Sequence, residues 1–461
     1  MKKGEGIYNV IVIGAGTAGL VTAAGTAGLG GRVALIERNL MGGDCLGLDE
    51  QEPHFVFEKV FERMRARRAK IAPHDSRERF ESLGVDVFHG EARFISPHEL
   101  EMNGQRLRAR NFVIATGSRA AVPKIKGIES VPYFTNETIF DALTREPENM
   151  IVLGGGPIGC ELAQTFQRFG VDVTIVQRGD QLLPREDRDV AEFVEHRLIN
   201  EGVRIIKNAE THSVATTDTG KIALQLLDRQ SGQLAEPTFF TDALLVAAGR
   251  TPNLRSLDLK SLGIDVTERG FRVNDYLQTS QRHIYAVGDI IGPFLFTHMA
   301  DAQARVVVRN IVVPFQFLRQ KMDYSVVPWC TYVDPEVAHV GLGEKEAKRQ
   351  NIDYDLFIVP LEDVDRAVIE SEEAGFAKIL TQKGKDKILG ATIVAPHAGD
   401  LLHEFVLAMN AGIGLATIGS TIHAYPTLAE LARKAGDKYN RTRLTPTAKK
   451  VFTWLYARAR K

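Results

Sequence analysis

Cysteine is scarce in this chain: Cys45, Cys160 and Cys330 are its three thiols, and they lie far apart in the sequence. That spacing excludes a disulfide-stapled scaffold and offers no zinc-type cluster. Long apolar runs are missing too, and none reaches the roughly 20 residues needed to cross a bilayer. Strand-like residues begin by Ile7, with only Met-Lys-Lys-Gly-Glu-Gly ahead, which leaves no room for a signal peptide, so a cytoplasmic location is expected. Neither charge is in excess: 57 Lys and Arg stand against 58 Asp and Glu, a net charge of −1, which argues against nucleic acid as a partner. Glycine, in contrast, is plentiful at 41 of 461 residues, in a chain long enough for roughly two to four domains.

The glycines gather at strand ends. Val10 to Ile13 is a short apolar run suited to a buried parallel strand, and Gly14, Gly16 and Gly19 follow as G-x-G-x-x-G. Gly14 allows the tight turn, Gly16 lets a pyrophosphate approach the backbone, and Gly19 lets the next helix pack closely, its first N–H groups facing the anion. A second strand, Arg32 to Ile36, ends at Glu37, where a carboxylate can accept from a ribose hydroxyl. Strand, glycines, helix and terminal acid together predict a dinucleotide site.

The plan then repeats. Met150 to Leu153 reads as a strand, Gly154, Gly156 and Gly159 as a second phosphate loop, Cys160 to Phe169 as a helix and Val171 to Val176 as the next strand. A second dinucleotide is therefore expected. In this copy the position of the ribose acid is Gln177, followed by Arg178, whose guanidinium can pair with a 2′-phosphate, so the sequence favours NADP over NAD. The alternative is that Arg178 faces water.

Other stretches fill in the plan. Met41-Gly42-Gly43-Asp44-Cys45-Leu46 places two glycines before a cysteine, as where backbone passes close to something flat or bulky. Phe55 to about Ala72 is helical, its basic half (Arg63, Arg65, Arg67, Arg68, Lys70) read as a solvated face. Val85 to Phe94 and the segments near Leu100 and Leu107 read as short strands, leading to a buried strand and turn, Phe112 to Gly117. Leu244 to Ala248 ends at Gly249, and His283 to Val287 runs into Gly288-Asp289. Asp289 can accept from a polyol hydroxyl or cap the helix that starts near Phe296. The last third alternates strands (Leu356 to Val359, Ala377 to Leu380, Leu389 to Val394) with an amphipathic helix from Asp400 to Asn410, read as a packing face. Cys160 and Cys330 are read as core.

Jointly, GAGTAGL with Glu37, GGDCL, ATGS, GGGPIGCE, AAGRTPN, YAVGD, DPEVAHVGL and HAYPTLAE resemble the FAD-dependent pyridine nucleotide-disulfide oxidoreductases, in the mercuric reductase and dihydrolipoamide dehydrogenase branch. The resemblance covers nearly the whole chain. It implies an α/β fold with two Rossmann-like domains, one for FAD (1–118 and 270–322) and one for NAD(P) (119–269), then an α+β interface domain (323–446) through which two subunits pair. It further implies that Gly14, Gly16, Gly19, Glu37, Gly43, Ala92, Thr116, Gly117 and Asp289 serve FAD. Gly154, Gly156, Gly159, Arg178 and Gly249 would serve NADPH, with hydride passing to flavin, then to a disulfide and an acceptor.

At two places the sequence departs from that pattern. Relatives carry a second cysteine five residues after the first, with a lysine further along the same helix; here the matching position is Glu50, the lysine is absent, and the span from Cys45 to Ala115 is short by a helix. Disulfide exchange needs an attacking and a leaving thiol, so Cys45 alone cannot cycle that way. Glu161 matches the acid that relatives pair with the missing lysine; buried without a partner, it would be neutral. Near the C-terminus relatives place a histidine five residues before a glutamate, whereas here Tyr425 precedes Glu430, and a phenol with pKa near 10 is a poor base. His423 stands two residues earlier.

Three readings follow. The first is a dimeric NADPH- and FAD-dependent oxidoreductase with an impaired dithiol relay, serving a small-molecule electron acceptor. The second is a flavin peroxidase or oxidase working through Cys45 alone as a sulfenic acid. The third is a catalytically silent nucleotide-binding protein, whose basic aromatic tail, 447–461, can lie on an anionic membrane surface or pack on its own subunit.

Overall fold

The computed structural model describes the backbone of residues 10–13 and 33–36, and residues 56–254, 262–313, 315–443, 445 and 447. Gly14, Gly16, Gly19, Glu37, Gly43, Cys45, Glu50 and residues 448–461 of the tail therefore lie outside the described residues. The chain divides into two compact units, one of residues 56–184 and 195–324, the other of 1–55, 185–194 and 325–461.

In the first unit a five-stranded sheet runs in the order Arg204–Ile206, Asp172–Val176, Asn149–Leu153, Ala243–Val246, Phe134–Thr135, with every pair parallel. A sheet of this kind is covered on both faces, so its strands read as unbroken apolar runs. Accordingly Met150, Val152, Val173, Ile175, Leu244 and Leu245 are fully buried. The helix Pro157–Arg168 makes the crossover between Asn149–Leu153 and Asp172–Val176. The same unit holds two three-stranded antiparallel sheets, Ala209–Thr216 with Ile222–Asp228 and Phe239–Thr241, and Ala92–Ser96 with Glu99–Met102 and Gln105–Arg108. Phe112–Ile114 pairs in parallel with Ile284–Ala286.

The helix expected from Phe55 forms at Phe57–Ile71. Its apolar stripe buries Phe57 and Phe61 against Phe166, while Arg68 pairs at the surface with Asp141 and Arg65 donates to the Phe140 carbonyl at 3.1 Å. The strand expected from Val85 starts only at Ala92. Val85 and Phe88 are about half exposed, so apolar character there reflects surface rather than core.

In the second unit, Val10–Ile13 pairs in parallel with Val33–Ile36, Val10 opposite Val33. Five antiparallel strands follow in the order Pro328–Thr331, Glu336–Gly341, Ile388–Ala395, Phe376–Gln382, Tyr354–Pro360. The helices Ala398–Ala411, Leu415–Ser420 and Glu430–Thr442 join the same core. Leu402 and Phe405 of the first are fully buried there, with Leu401, Val406 and Met409 packed beside them. The other two helices meet at Gly419 and Gly436: a Cβ on Gly436 would lie 2.3 Å from the Gly419 nitrogen. Only glycine permits that approach.

One polar cluster is built into this unit. Lys378, 1% exposed on its strand, places Nζ 3.0 Å from Asp187 Oδ2, 2.8 Å from Asp189 Oδ2 and 2.7 Å from Glu344 Oε1. Asp187 also accepts from the Glu344 and Lys345 amides at 3.0 and 2.9 Å, at the start of the helix Glu344–Arg349. Burial lowers the Lys378 pKa, but its three carboxylate partners outweigh that and hold it above the ordinary lysine value. Burial likewise pushes the carboxyls of Asp187 and Glu344 up, and their hydrogen bonds, to the Lys345 amide and Lys378 for the one and to Lys378 and Tyr354 for the other, bring both below the ordinary range.

Candidate nucleotide-binding cleft

The second glycine loop opens onto a cavity of about 540 Å³, lined among others by Gly154, Gly156, Pro157, Arg178, Glu210 and Gly249. Its shape is forced by backbone. Gly154 sits at φ +115, where a Cβ would lie 2.4 Å from the Ala247 carbonyl oxygen, and a Cβ on Gly159 would lie 1.9 Å from the Gly154 carbonyl oxygen. Those two glycines seat the helix Pro157–Arg168 on the strand. Gly156 is different: a Cβ there would meet nothing within 4 Å. It caps the helix where the first amides have no intrahelical partner, so the open space beside it fits a pyrophosphate.

Gln177, which ends the Asp172–Val176 strand, is turned into the loop. Its Oε1 accepts from the Gly155 amide at 3.0 Å and its Nε2 donates to the Gln181 carbonyl at 3.0 Å. It is therefore a brace for the loop. Arg178 lines the cavity with its side chain 72% exposed and Nε 3.1 Å from Glu210 Oε2, a partner that sequence spacing did not suggest. Cys160, on the helix behind, is fully buried, and desolvation, then the neighbouring Glu161 charge, push its thiol up to about 12. It is inert core. Glu161, the next residue on that helix, is half-buried.

A second constellation joins the Gly117 and Gly288 turns in the same unit. Gly117 lies at φ +65 with nothing within 4 Å of a Cβ built on it. Next to it Ser118 donates to Asp289, and Arg250 Nε lies 3.3 Å from Asp289 Oδ2. Thr116 Oγ1 donates to the Asn253 carbonyl at 2.9 Å, and Asn253 Nδ2 returns a bond to the Thr116 carbonyl at 2.9 Å. The helix after this turn, Thr297–Val312, has Phe296 at its N-cap position, in an extended conformation. An oriented carboxylate beside an open glycine turn fits the polyol of a flavin nucleotide. Ala92 opens its strand opposite Met102, and Gly249 (φ +120) lines the cavity described above.

In the other unit the acid–base candidates are committed to local partners. Tyr425, 67% exposed, donates to Asp365 Oδ2 at 2.9 Å, and that bond, then the charges of Asp365 and Glu430, hold its phenol above the ordinary value. Glu430 is buried with Oε1 2.7 Å from Arg433 Nη2. His423 places Nε2 3.0 Å from Glu404 Oε1 and Nδ1 2.9 Å from the Thr421 carbonyl oxygen. Cys330, expected in the core, is half-buried, with Sγ 3.8 Å from Glu336 Oε2.

Comparison with known proteins agrees with this arrangement. Residues 8–304 match the family described as pyridine nucleotide-disulphide oxidoreductase, and residues 327–435 match its dimerisation domain. The mercuric reductase of Lysinibacillus sphaericus is 31% identical over 455 residues, 92% of this chain and 81% of its own. The dihydrolipoyl dehydrogenase of Trypanosoma brucei brucei is 32% identical over 468 residues, 93% of this chain and 95% of its own. Among solved structures, the HOCl-induced flavoprotein disulfide reductase RclA from Escherichia coli superposes with a TM-score of 0.74 at 27% identity, covering 93% of this chain and 99% of its own. Among the described residues no helix is long and apolar enough to cross a membrane, and no group of three or more His, Cys, Asp or Glu is placed to hold a metal ion.

Proposed function

The chain belongs to the pyridine nucleotide-disulphide oxidoreductases, and on that premise we propose that it draws hydride from NADPH bound in the Gly154–Gly159 cleft and delivers the electrons, by way of FAD, to a small-molecule acceptor. The observation that carries this reading is the open face of Gly156 at the head of a helix, with the Arg178 guanidinium on the rim of the same cavity. Gly154 and Gly159 set the loop's course; with the nucleotide bound, the helix amides would hold its pyrophosphate and Arg178 would pair with its 2′-phosphate. NAD fits the same cleft without that last contact. FAD, when bound, supplies a two-electron store that can discharge in single or paired steps. Thr116, Gly117, Asp289 and Ala92 are the described residues assigned to it, with Gly14, Gly16, Gly19, Glu37 and Gly43. In this scheme residues 1–118 and 270–322 form the FAD domain, 119–269 the NAD(P) domain and 323–446 the interface of a homodimer, in the cytoplasm.

Cys45 is left without a resolving thiol, because Glu50 occupies the second position. A lone thiol cannot complete disulfide exchange, so the dithiol relay is impaired and the acceptor takes electrons without it. Neither Tyr425, whose phenol is held above its ordinary value, nor the Arg433-paired Glu430 replaces a proton-shuttling imidazole. Stopped-flow mixing of the FAD-loaded protein with NADPH, then with a quinone, tests the scheme. NADPH should bleach the oxidised flavin band and the quinone restore it, equally in Cys45→Ser; a protein that takes up no FAD, or whose flavin NADPH leaves oxidised, rejects it. Loss of turnover in Cys45→Ser would move the chemistry to the single sulfur.

A further inference from the structure

Two guanidinium groups converge on one carboxylate, Glu210, which lines the cleft together with Arg178. Arg178 Nε lies 3.1 Å from Glu210 Oε2, and Arg229 Nε lies 3.6 Å from the same oxygen. Arg229 also donates from Nη1 to the Arg178 carbonyl at 3.0 Å, which ties its side chain to the Arg178 backbone. Glu210 comes from the strand Ala209–Thr216, not from the end of the Asp172–Val176 strand where a ribose acid is expected. That expected position holds Gln177, whose amide is spent on Gly155 and Gln181.

The trio carries two positive charges and one negative. A 2′-phosphate, nearly dianionic at neutral pH, draws on the same two guanidinium charges that Glu210 pairs with, and it meets the Glu210 charge as repulsion. A 2′-hydroxyl meets the same carboxylate as an acceptor. We infer that Glu210 is a specificity-determining residue that holds down the preference for the phosphorylated nucleotide by competing with its 2′-phosphate for Arg178 and Arg229. This rests on the assignment of the cleft to NADP, and deepens it.

Calorimetric titration of the FAD-loaded protein with adenosine 2′,5′-bisphosphate and with AMP, at fixed ionic strength, separates the two ideas without reading turnover. Glu210→Gln should tighten the bisphosphate about fivefold, the scale of one partly exposed ion pair, and leave AMP unchanged or weaker. Arg178→Ala should weaken the bisphosphate and spare AMP. If Arg178→Ala lowers the bisphosphate-to-AMP ratio while Glu210→Gln and Glu210→Ala both leave it at the wild-type value, the role of Glu210 is wrong and the cleft assignment stands. If Arg178→Ala leaves the ratio unchanged, the assignment to a 2′-phosphate fails and this inference fails with it.

Discussion

Two clusters of cations and carboxylates in this chain differ in almost every respect that matters. Around Lys378 one buried ammonium serves three carboxylates; around Glu210 one carboxylate serves two exposed guanidinium groups. In the first the surplus charge is negative and is met in part by the helix-opening amides that bond Asp187 and by Lys348, 3.4 Å from Glu344 Oε2. In the second the surplus is positive, and two of its members, Arg178 and Glu210, line a cavity. Burial thus makes one cluster a structural clamp and exposure makes the other a recognition element.

The comparison breaks most visibly at the buried cation. Lys378→Met should cost about 3–5 kcal/mol in urea unfolding, because it strands Asp187 and Glu344 without their counter-ion. A loss below about 1 kcal/mol would mean the cluster behaves like a surface pair. The acid limb sharpens the same point. The folded-state carboxyls of Asp187 and Glu344 lie below their ordinary values, so their stabilisation is complete above the ordinary carboxylate range and fades as pH falls through the lowered values. Unfolding free energy measured against pH should show that acid loss in the wild type and a flatter limb in Lys378→Met. The raised value of Lys378 acts at the other end, its contribution being complete below the ordinary lysine value and lost as pH rises through the raised one.

At the exposed cluster the effects are smaller and fall on ligand rather than fold. Arg178→Ala should raise the Kd for NADPH about tenfold, the scale of one charge-assisted contact, with NADH affinity and unfolding midpoint unchanged. Equal losses for both nucleotides would place Arg178 away from the 2′ position. Smallest of all is Tyr425→Phe, which removes only the bond to Asp365. Quinone-dependent turnover should stay within about twofold, since a phenol held above its ordinary value donates no usable base near neutrality. A large drop would restore Tyr425 to the chemistry.

What could be read from sequence was whatever a few neighbouring residues decide. The Gly154–Gly159 loop and the strands beside it are set by local backbone needs and by apolar runs, and both are visible along the chain. Likewise, the helix Ala398–Ala411 announced its buried face by spacing. Long-range partners were hidden. Nothing near Arg178 points to Glu210 or Arg229, nothing in Phe376–Gln382 announces that Lys378 reaches Asp187, and the Ser118–Asp289–Arg250 group is closed by segments more than a hundred residues apart. Val85 and Phe88 misled for the opposite reason, since apolar residues on a surface carry the same letters as those in a strand.

The cleft assignment meets its most direct test at Gly156, where an added methyl meets no protein atom within 4 Å but enters the space assigned to the pyrophosphate. Gly156→Ala should keep the wild-type melting temperature and weaken NADPH and NADH together by about tenfold or more in equilibrium titration. A stable Gly156→Ala protein that binds both nucleotides as the wild type does would contradict the account.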